Sequence, residues 1–209
     1  MVREPGTLAD LAVDDVRLDG RRVGAAEPRQ YLLLHKPAGY VTSRADPEGR
    51  SVVTDLVPSG ARLYPVGRLD IDVEGALLLT NDGPLTHRLL HPRYGIARVY
   101  EAEVKGTVSG DALPLWRAGV HLDDGSAVPL AVLLLRPGRE RSRLRLTFAE
   151  GRKHEVKRYC DALGHPVLHL RRVAFGPIAL GTLPVGAHRP LTRREVAALH
   201  AAVRGAETS

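Results

Sequence analysis

The run Ala76-Leu77-Leu78-Leu79-Thr80 constrains this chain most, because it is strongly apolar, carries no charge and does not alternate. A short run of that kind, bounded by Gly75 and by the turn signal Asn81-Asp82-Gly83, predicts a strand buried on both faces. Such a strand lies inside a sheet with packed layers on either side. Just before it, Gly67-Arg68-Leu69-Asp70-Ile71-Asp72-Val73-Glu74-Gly75 sets an arginine and a carboxylate two residues apart between glycines. The glycines let the backbone turn or approach another surface closely. In an extended backbone Arg68 and Asp70 share one face, while Leu69 and Ile71 point into apolar packing. A carboxylate held against such a wall needs a partner. A structural Arg68–Asp70 pair and a chemically active Asp70 both satisfy that need, and the spacing does not decide between them.

The rest of the chain supplies strands and short helices around this run. Asp19-Gly20 predicts a small hairpin near the start. Tyr31 to Leu34 form an interior strand that ends at Lys36-Pro37-Ala38-Gly39, which leaves His35 and Lys36 at its mouth. Pro84 to Leu90 form a helix, with Pro84 in its first turn and Pro92 beyond its end. His87 and His91 stand four apart, but with no carboxylate ligand placed nearby they are expected to be surface histidines, and no metal is expected. Arg98 to Lys105 alternate as a strand does, with Tyr100, Ala102 and Val104 on one face. Ser109 is expected to cap a helix through Arg117, and Ala127 to Leu135 and Arg143 to Phe148 to form strands. The turn from Arg136 to Arg143 is a candidate phosphate-contacting loop. Val156, Tyr159, Cys160 and Leu163 mark an amphipathic helix over 153–163, stopped by Gly164. Lys157 and Arg158 lie at its rim, as cleft residues or as a solvated basic edge. Val167 to Phe175 form a last long strand with Arg171 and Arg172 at its exposed end. Thr192-Arg193-Arg194-Glu195 is a capping box for a terminal helix through Val203.

Charge narrows the function. The formal net charge is +6, and the arginines cluster late in the chain, which favours a polyanionic partner through counterion release. No segment approaches the ~18 consecutive apolar residues of a membrane span. The first residues lack the apolar core of a secretory signal. A single cysteine, Cys160, excludes an internal disulfide and a thiolate zinc cluster, as expected for a cytoplasmic protein.

Four stretches in order resemble the RsuA/RluB-type family of ribosomal RNA pseudouridine synthases. They are YLLLHKPAGYVTS at 31–43, GRLDIDVEGALLLTNDG at 67–83, RVYEAEVKG at 98–106, and EGRKHEVKRYCDALGHPVLHLRRVAFGPIALGTLPVGAHRPLT at 150–192. The resemblance runs from about Tyr31 to Leu199. It implies an α+β fold, with a mixed and largely antiparallel central sheet flanked by helices. It also implies a catalytic domain over 30–204, preceded by a linker-like segment over 1–29 and followed by a frayed tail over 205–209. The S4-type RNA-binding domain of many members is not among these residues, which tilts the expected substrate toward large-subunit ribosomal RNA. The expected partner is ribosomal RNA, with the protein a monomer that needs no cofactor.

By the same resemblance Asp70 is the catalytic residue, Tyr100 stacks on the target base, and Lys157 forms an ion pair with Asp70. Val156 packs beneath the nucleotide. Arg68 contacts the RNA backbone or fills the space of the flipped base, and Lys36 and Arg158 are further RNA contacts. Arg98 stands where the family has lysine, and Glu155 where it has glutamine. Asp72 and Glu74 are expected to point away from Asp70, because a second carboxylate would oppose its ionised form. The rivals are a catalytically silent RNA-binding protein of ribosome assembly, a transfer-RNA pseudouridine synthase, and a glycoside hydrolase pairing Asp70 with Asp72 or Glu74.

Overall fold

The structure is a computed structural model that describes residues 15–22, 27–58 and 62–204. The expected tail over 205–209 lies outside the described residues, as does most of the expected N-terminal segment. The predicted hairpin is present as β1 (Arg17–Leu18) and β2 (Arg21–Arg22), turned through Asp19 and Gly20, both at positive φ. The chain then runs through β3 (Tyr31–Lys36), β4 (Tyr64–Pro65), β5 (Glu74–Thr80) and α1 (Gly83–Leu90). β6 (Arg98–Lys105), α2 (Leu113–Ala118), β7 (Val120–Leu122) and β8 (Gly125–Ala127) follow. β9 (Ala131–Arg136), β10 (Arg141–Phe148), α3 (Glu155–Ala162) and β11 (Val167–Phe175) come next. β12 (Ile178–Ala179), β13 (His188–Pro190) and α4 (Arg193–Arg204) complete the order.

The main sheet runs β13-β3-β5-β11-β6-β10-β9, with β4 added beside β5 and β12 beside β11. Every pairing in it is antiparallel except β5 with β11. The fold is therefore α+β with a mixed, largely antiparallel sheet, as expected.

β5 is the strand that its apolar run predicts. Leu77 and Leu79 join a core that includes Tyr100, Leu144, Val156 and Tyr159, while Ala76 and Leu78 join Leu85, Leu89, Leu199 and Val203. The two cores lie on opposite faces of one strand, which is why the run cannot alternate. Each fully buried leucine contributes about 1.5–3 kcal/mol of transfer free energy. Gly75 is required where β5 meets β11. A Cβ there would lie 2.2 Å from the Arg172 carbonyl oxygen, and φ is 121°. Any side chain at Gly75 would push the two strands apart.

Several boundaries moved for local reasons. α2 starts at Leu113 after a 3₁₀ turn over Gly110–Ala112, and Ser109 makes no side-chain cap bond. Pro114 has no amide hydrogen and fits only a first turn, so it fixes where α2 can begin. Pro129 likewise keeps β9 from starting at Ala127. The N-cap of α1 is Asp82, which accepts from the Leu85 amide, and the capping box of Thr192 and Glu195 is present. Tyr159 packs edge-on between Trp116 and Phe148 and donates to the Trp116 carbonyl. Burial pushes the neighbouring Cys160 thiol well up, so the lone cysteine is a packing residue.

Candidate active site

The loop before β5 is not extended. The Val73 amide donates to the Asp70 carbonyl at 3.1 Å, which closes a turn over Asp70-Ile71-Asp72-Val73. Leu69 is buried, but Ile71 is exposed, contrary to the extended reading. Other elements pin the turn. Thr42 donates its hydroxyl to the Leu69 carbonyl at 2.6 Å and accepts from the Leu69 amide, and the Gly39 amide donates to the Ile71 carbonyl.

Lys36 is the main pin. It was expected at an open strand mouth and in contact with RNA, but it is fully buried. Its ammonium donates to the carbonyls of Pro37, Asp70, Ile71 and Val73 at 2.8–3.3 Å. Burial pulls its pKa down to about 8, against the attraction of the Asp72, Asp70 and Glu74 carboxylates. A buried cation needs such partners, and here they are the backbone of the loop that carries Asp70.

Asp70 lines a cleft of about 810 Å³ between this loop, β6 and the head of α3. The Lys157 ammonium lies 3.3 Å from Asp70 Oδ2, and the His154 Nε2 lies 3.4 Å from Oδ1. Asp72 does not point away as expected. It accepts from Lys157 at 2.7 and 2.9 Å, because the turn brings residues 70 and 72 to the same lysine. Burial acts to lower the Lys157 pKa, but the hydrogen bond to Asp72 and the charge of Asp70 outweigh it and the net shift is upward. The hydrogen bond from Lys157 holds Asp72 below the usual carboxylate range. Glu74 faces elsewhere, 3.3 Å from His169.

Tyr100, Val156 and Arg68 line the same cleft. Tyr100 and Val156 are buried, whereas Arg68 is exposed. Arg98 also lines the cleft and is buried, with Nη1 donating to the Ile96 and Ala149 carbonyls. Gly151 lies so close that a Cβ there would be 2.9 Å from Arg98 Nε.

Arg158 is not part of the cleft lining. It makes a two-pronged pair with Asp124 in the β7–β8 turn, at 2.7 and 3.0 Å. Arg172 is likewise not exposed: it is buried, with Nε donating to the Ala76 carbonyl, while Arg171 pairs with Glu101. Glu155 is buried and accepts from Arg152, with burial raising its pKa despite that partner. Arg152 also donates to the Gly125 and Ser126 carbonyls, which ties the β7–β8 turn to the head of α3. His87 and His91 are exposed, and the described residues hold no cluster of three or more metal-ligating side chains.

His154 is the site member that the residue pattern did not single out, and Asp72 was expected to face away. Lys157 was singled out, and His154 stands one helical turn before it, a spacing that brings both side chains to one side of a helix start. That was the available signal.

A carboxylate pinned in a cleft, with the Lys157 and His154 nitrogens 3.3 and 3.4 Å from its two oxygens and an aromatic ring in the same lining, sits here on a mixed, largely antiparallel sheet. The chain belongs to the RNA pseudouridylate synthase family, whose model matches residues 30–162. Within that family it is of the RsuA/RluB type. It is 39% identical over 191 residues to the ribosomal large subunit pseudouridine synthase B of Bacillus subtilis, covering 90% of this chain and 78% of that one. It is 37% identical over 204 residues to the ribosomal small subunit pseudouridine synthase A of Yersinia pestis, covering 96% and 85%. A crystal structure of a pseudouridylate synthase superposes with a TM-score of 0.75 at 31% identity, over 83% of this chain and 75% of that one.

Proposed function

We propose that this chain converts a specific uridine of ribosomal RNA to pseudouridine, with Asp70 as the catalytic carboxylate and without a cofactor. The observation that carries the reading is the placement of Asp70 in a cleft that also presents Tyr100, Val156 and Lys157. The cleft volume falls within the ~300–1,000 Å³ typical of small-ligand pockets, enough for a flipped nucleotide. In the reaction the bond from N1 to C1′ breaks and a bond from C5 to C1′ forms. The C5 proton leaves and N1 gains one, so no oxidant or donor group is consumed. Asp70 acts at the sugar or the base, with the Lys157 ammonium 3.3 Å from Oδ2 as its counter-charge. Tyr100 offers the flipped uracil a stacking face and Val156 an apolar floor. Arg68 makes no hydrogen bond or ion pair with the described residues. It is therefore free to meet phosphate or to fill the place of the flipped base.

The names of the two relatives support ribosomal RNA as the substrate, and the +6 charge suits a polyanion. We place the catalytic unit at residues 30–204, working in the cytoplasm. The test is a pseudouridine map of a strain lacking the gene, complemented with wild type or Asp70→Asn. One ribosomal RNA position should disappear and return only with wild type. An unchanged map, or restoration by Asp70→Asn, would refute the reading.

A further inference from the structure

His154 sits at a φ of 53°, a left-handed backbone that few side chains adopt. It occupies the N-cap position of α3, yet its side chain makes no capping hydrogen bond. Helix capping therefore does not account for the conformation. In this conformation the imidazole Nε2 lies 3.4 Å from Asp70 Oδ1. Lys157, one turn along the same helix, meets the other oxygen at 3.3 Å. Lys157 is a divided partner, because its two hydrogen bonds go to Asp72. An ammonium shared in this way does not fix how the Asp70 carboxylate is rotated. A donor held against the opposite oxygen would.

We propose that His154 is a positioning residue for Asp70, holding Oδ1 through Nε2–H so that the carboxylate keeps one orientation toward the cleft. The proposal rests on Asp70 being the carboxylate that carries the reaction. Imidazole donates from Nε2 both in the neutral Nε2–H tautomer and when protonated. The left-handed backbone is thus retained for what it aims at.

Glycine suits a φ of 53° better than histidine, so His154→Gly separates backbone from side chain. The substrate probe is protein-free ribosomal RNA from a strain lacking the gene, with kcat and KM measured separately. We expect His154→Gly to fold with an unchanged or higher Tm, yet to lose about tenfold or more in kcat at constant KM, since small misplacement of a reacting group is costly. His154→Gln, whose amide can reach the same oxygen, should recover most of that loss. The imidazole nitrogen resonance of Nε2 should also shift between wild type and Asp70→Asn at fixed pH. Wild-type kcat in His154→Gly, a loss confined to KM, no recovery in His154→Gln, or an unmoved resonance would each overturn the proposal. If wild type makes no pseudouridine, the reading of the reaction fails, and the resonance alone then decides the contact.

Discussion

Replacing Lys36 with methionine keeps most of the buried stem and removes the charge that holds the catalytic loop. The ammonium serves four carbonyls, those of Pro37, Asp70, Ile71 and Val73. Two of them keep a backbone donor, since Ile71 also accepts from Gly39 and Asp70 from Val73. Counting only the other two, at ~1–3 kcal/mol for each buried acceptor left without its donor, gives a loss of roughly 2–6 kcal/mol. The buried charge no longer has to be desolvated in the variant, which offsets part of this and favours the lower half, roughly 2–4 kcal/mol. For a chain of this size that corresponds to a fall in Tm of about 5–15 °C. Turnover measured well below the new Tm should fall by up to ~10²-fold, because the pinned segment carries Asp70.

The same lysine gives a test by pH. Burial places its pKa at about 8, against an ordinary 10.5. Below about 8 the folded and unfolded chains both carry the proton, and the cost of burying the charge is fully felt. Between about 8 and 10.5 the folded chain has released the proton and the unfolded chain has not, so wild type gains stability relative to Lys36→Met as pH rises. Turnover should move the other way over that window, since a neutral amine has two N–H groups for four carbonyls. Calorimetry at several pH values, with turnover at each, is the assay. A Tm for Lys36→Met within about 2 °C of wild type, with full turnover, would refute the reasoning; so would a stability difference that shrinks with rising pH.

Other perturbations test other contacts. Lys157→Met should lower turnover ~10–100-fold while RNA affinity stays within about threefold, because Asp70 loses its closest cation; single-turnover kinetics and a binding isotherm check this. The lowered pKa of Asp72 adds a sign-specific prediction. Its contribution to stability is present at neutral pH and is lost as pH falls through the folded value, and Lys157→Met should lack that part of the acid limb in thermal melts. Gly75→Ala drives a Cβ to 2.2 Å from the Arg172 carbonyl. It should cost about 3 kcal/mol or more, seen as a lower urea midpoint. Arg158→Ala breaks a solvent-exposed pair with Asp124 and should leave Tm and turnover close to wild type; a large loss of turnover would support Arg158 as an RNA contact.

Local rules fixed much of this fold because their causes are local. The uncharged run of β5, the Pro84 start of α1, and the capping box of α4 each follow from a few adjacent residues, and β11 spans the expected Val167–Phe175. The errors arise where distant segments meet. Lys36 looked like a strand mouth because Pro37-Ala38-Gly39 follows it, and nothing nearby signals that carbonyls from residues 70–73 close over it. Arg172 looked like an exposed end for the same reason, whereas β5 supplies its acceptor. Asp72 was misplaced by an argument from charge alone: a second carboxylate beside Asp70 was expected to be repelled, whereas Lys157 lies within reach of both and offsets that repulsion. His154 was missed because its contact with Asp70 joins segments far apart in the sequence. The family resemblance located Asp70, Tyr100, Val156 and Lys157, which the cleft brings together, but it did not convey which basic residues are committed to internal partners.

The most direct measurement is made with purified protein. Wild type and Asp70→Asn are each incubated with ribosomal RNA from a strain lacking the gene, and every uridine is then scored for isomerisation by carbodiimide tagging of pseudouridine followed by primer extension. Wild type should form one stoichiometric pseudouridine and Asp70→Asn none, at equal RNA binding. Product formation by Asp70→Asn would contradict the catalytic role of Asp70.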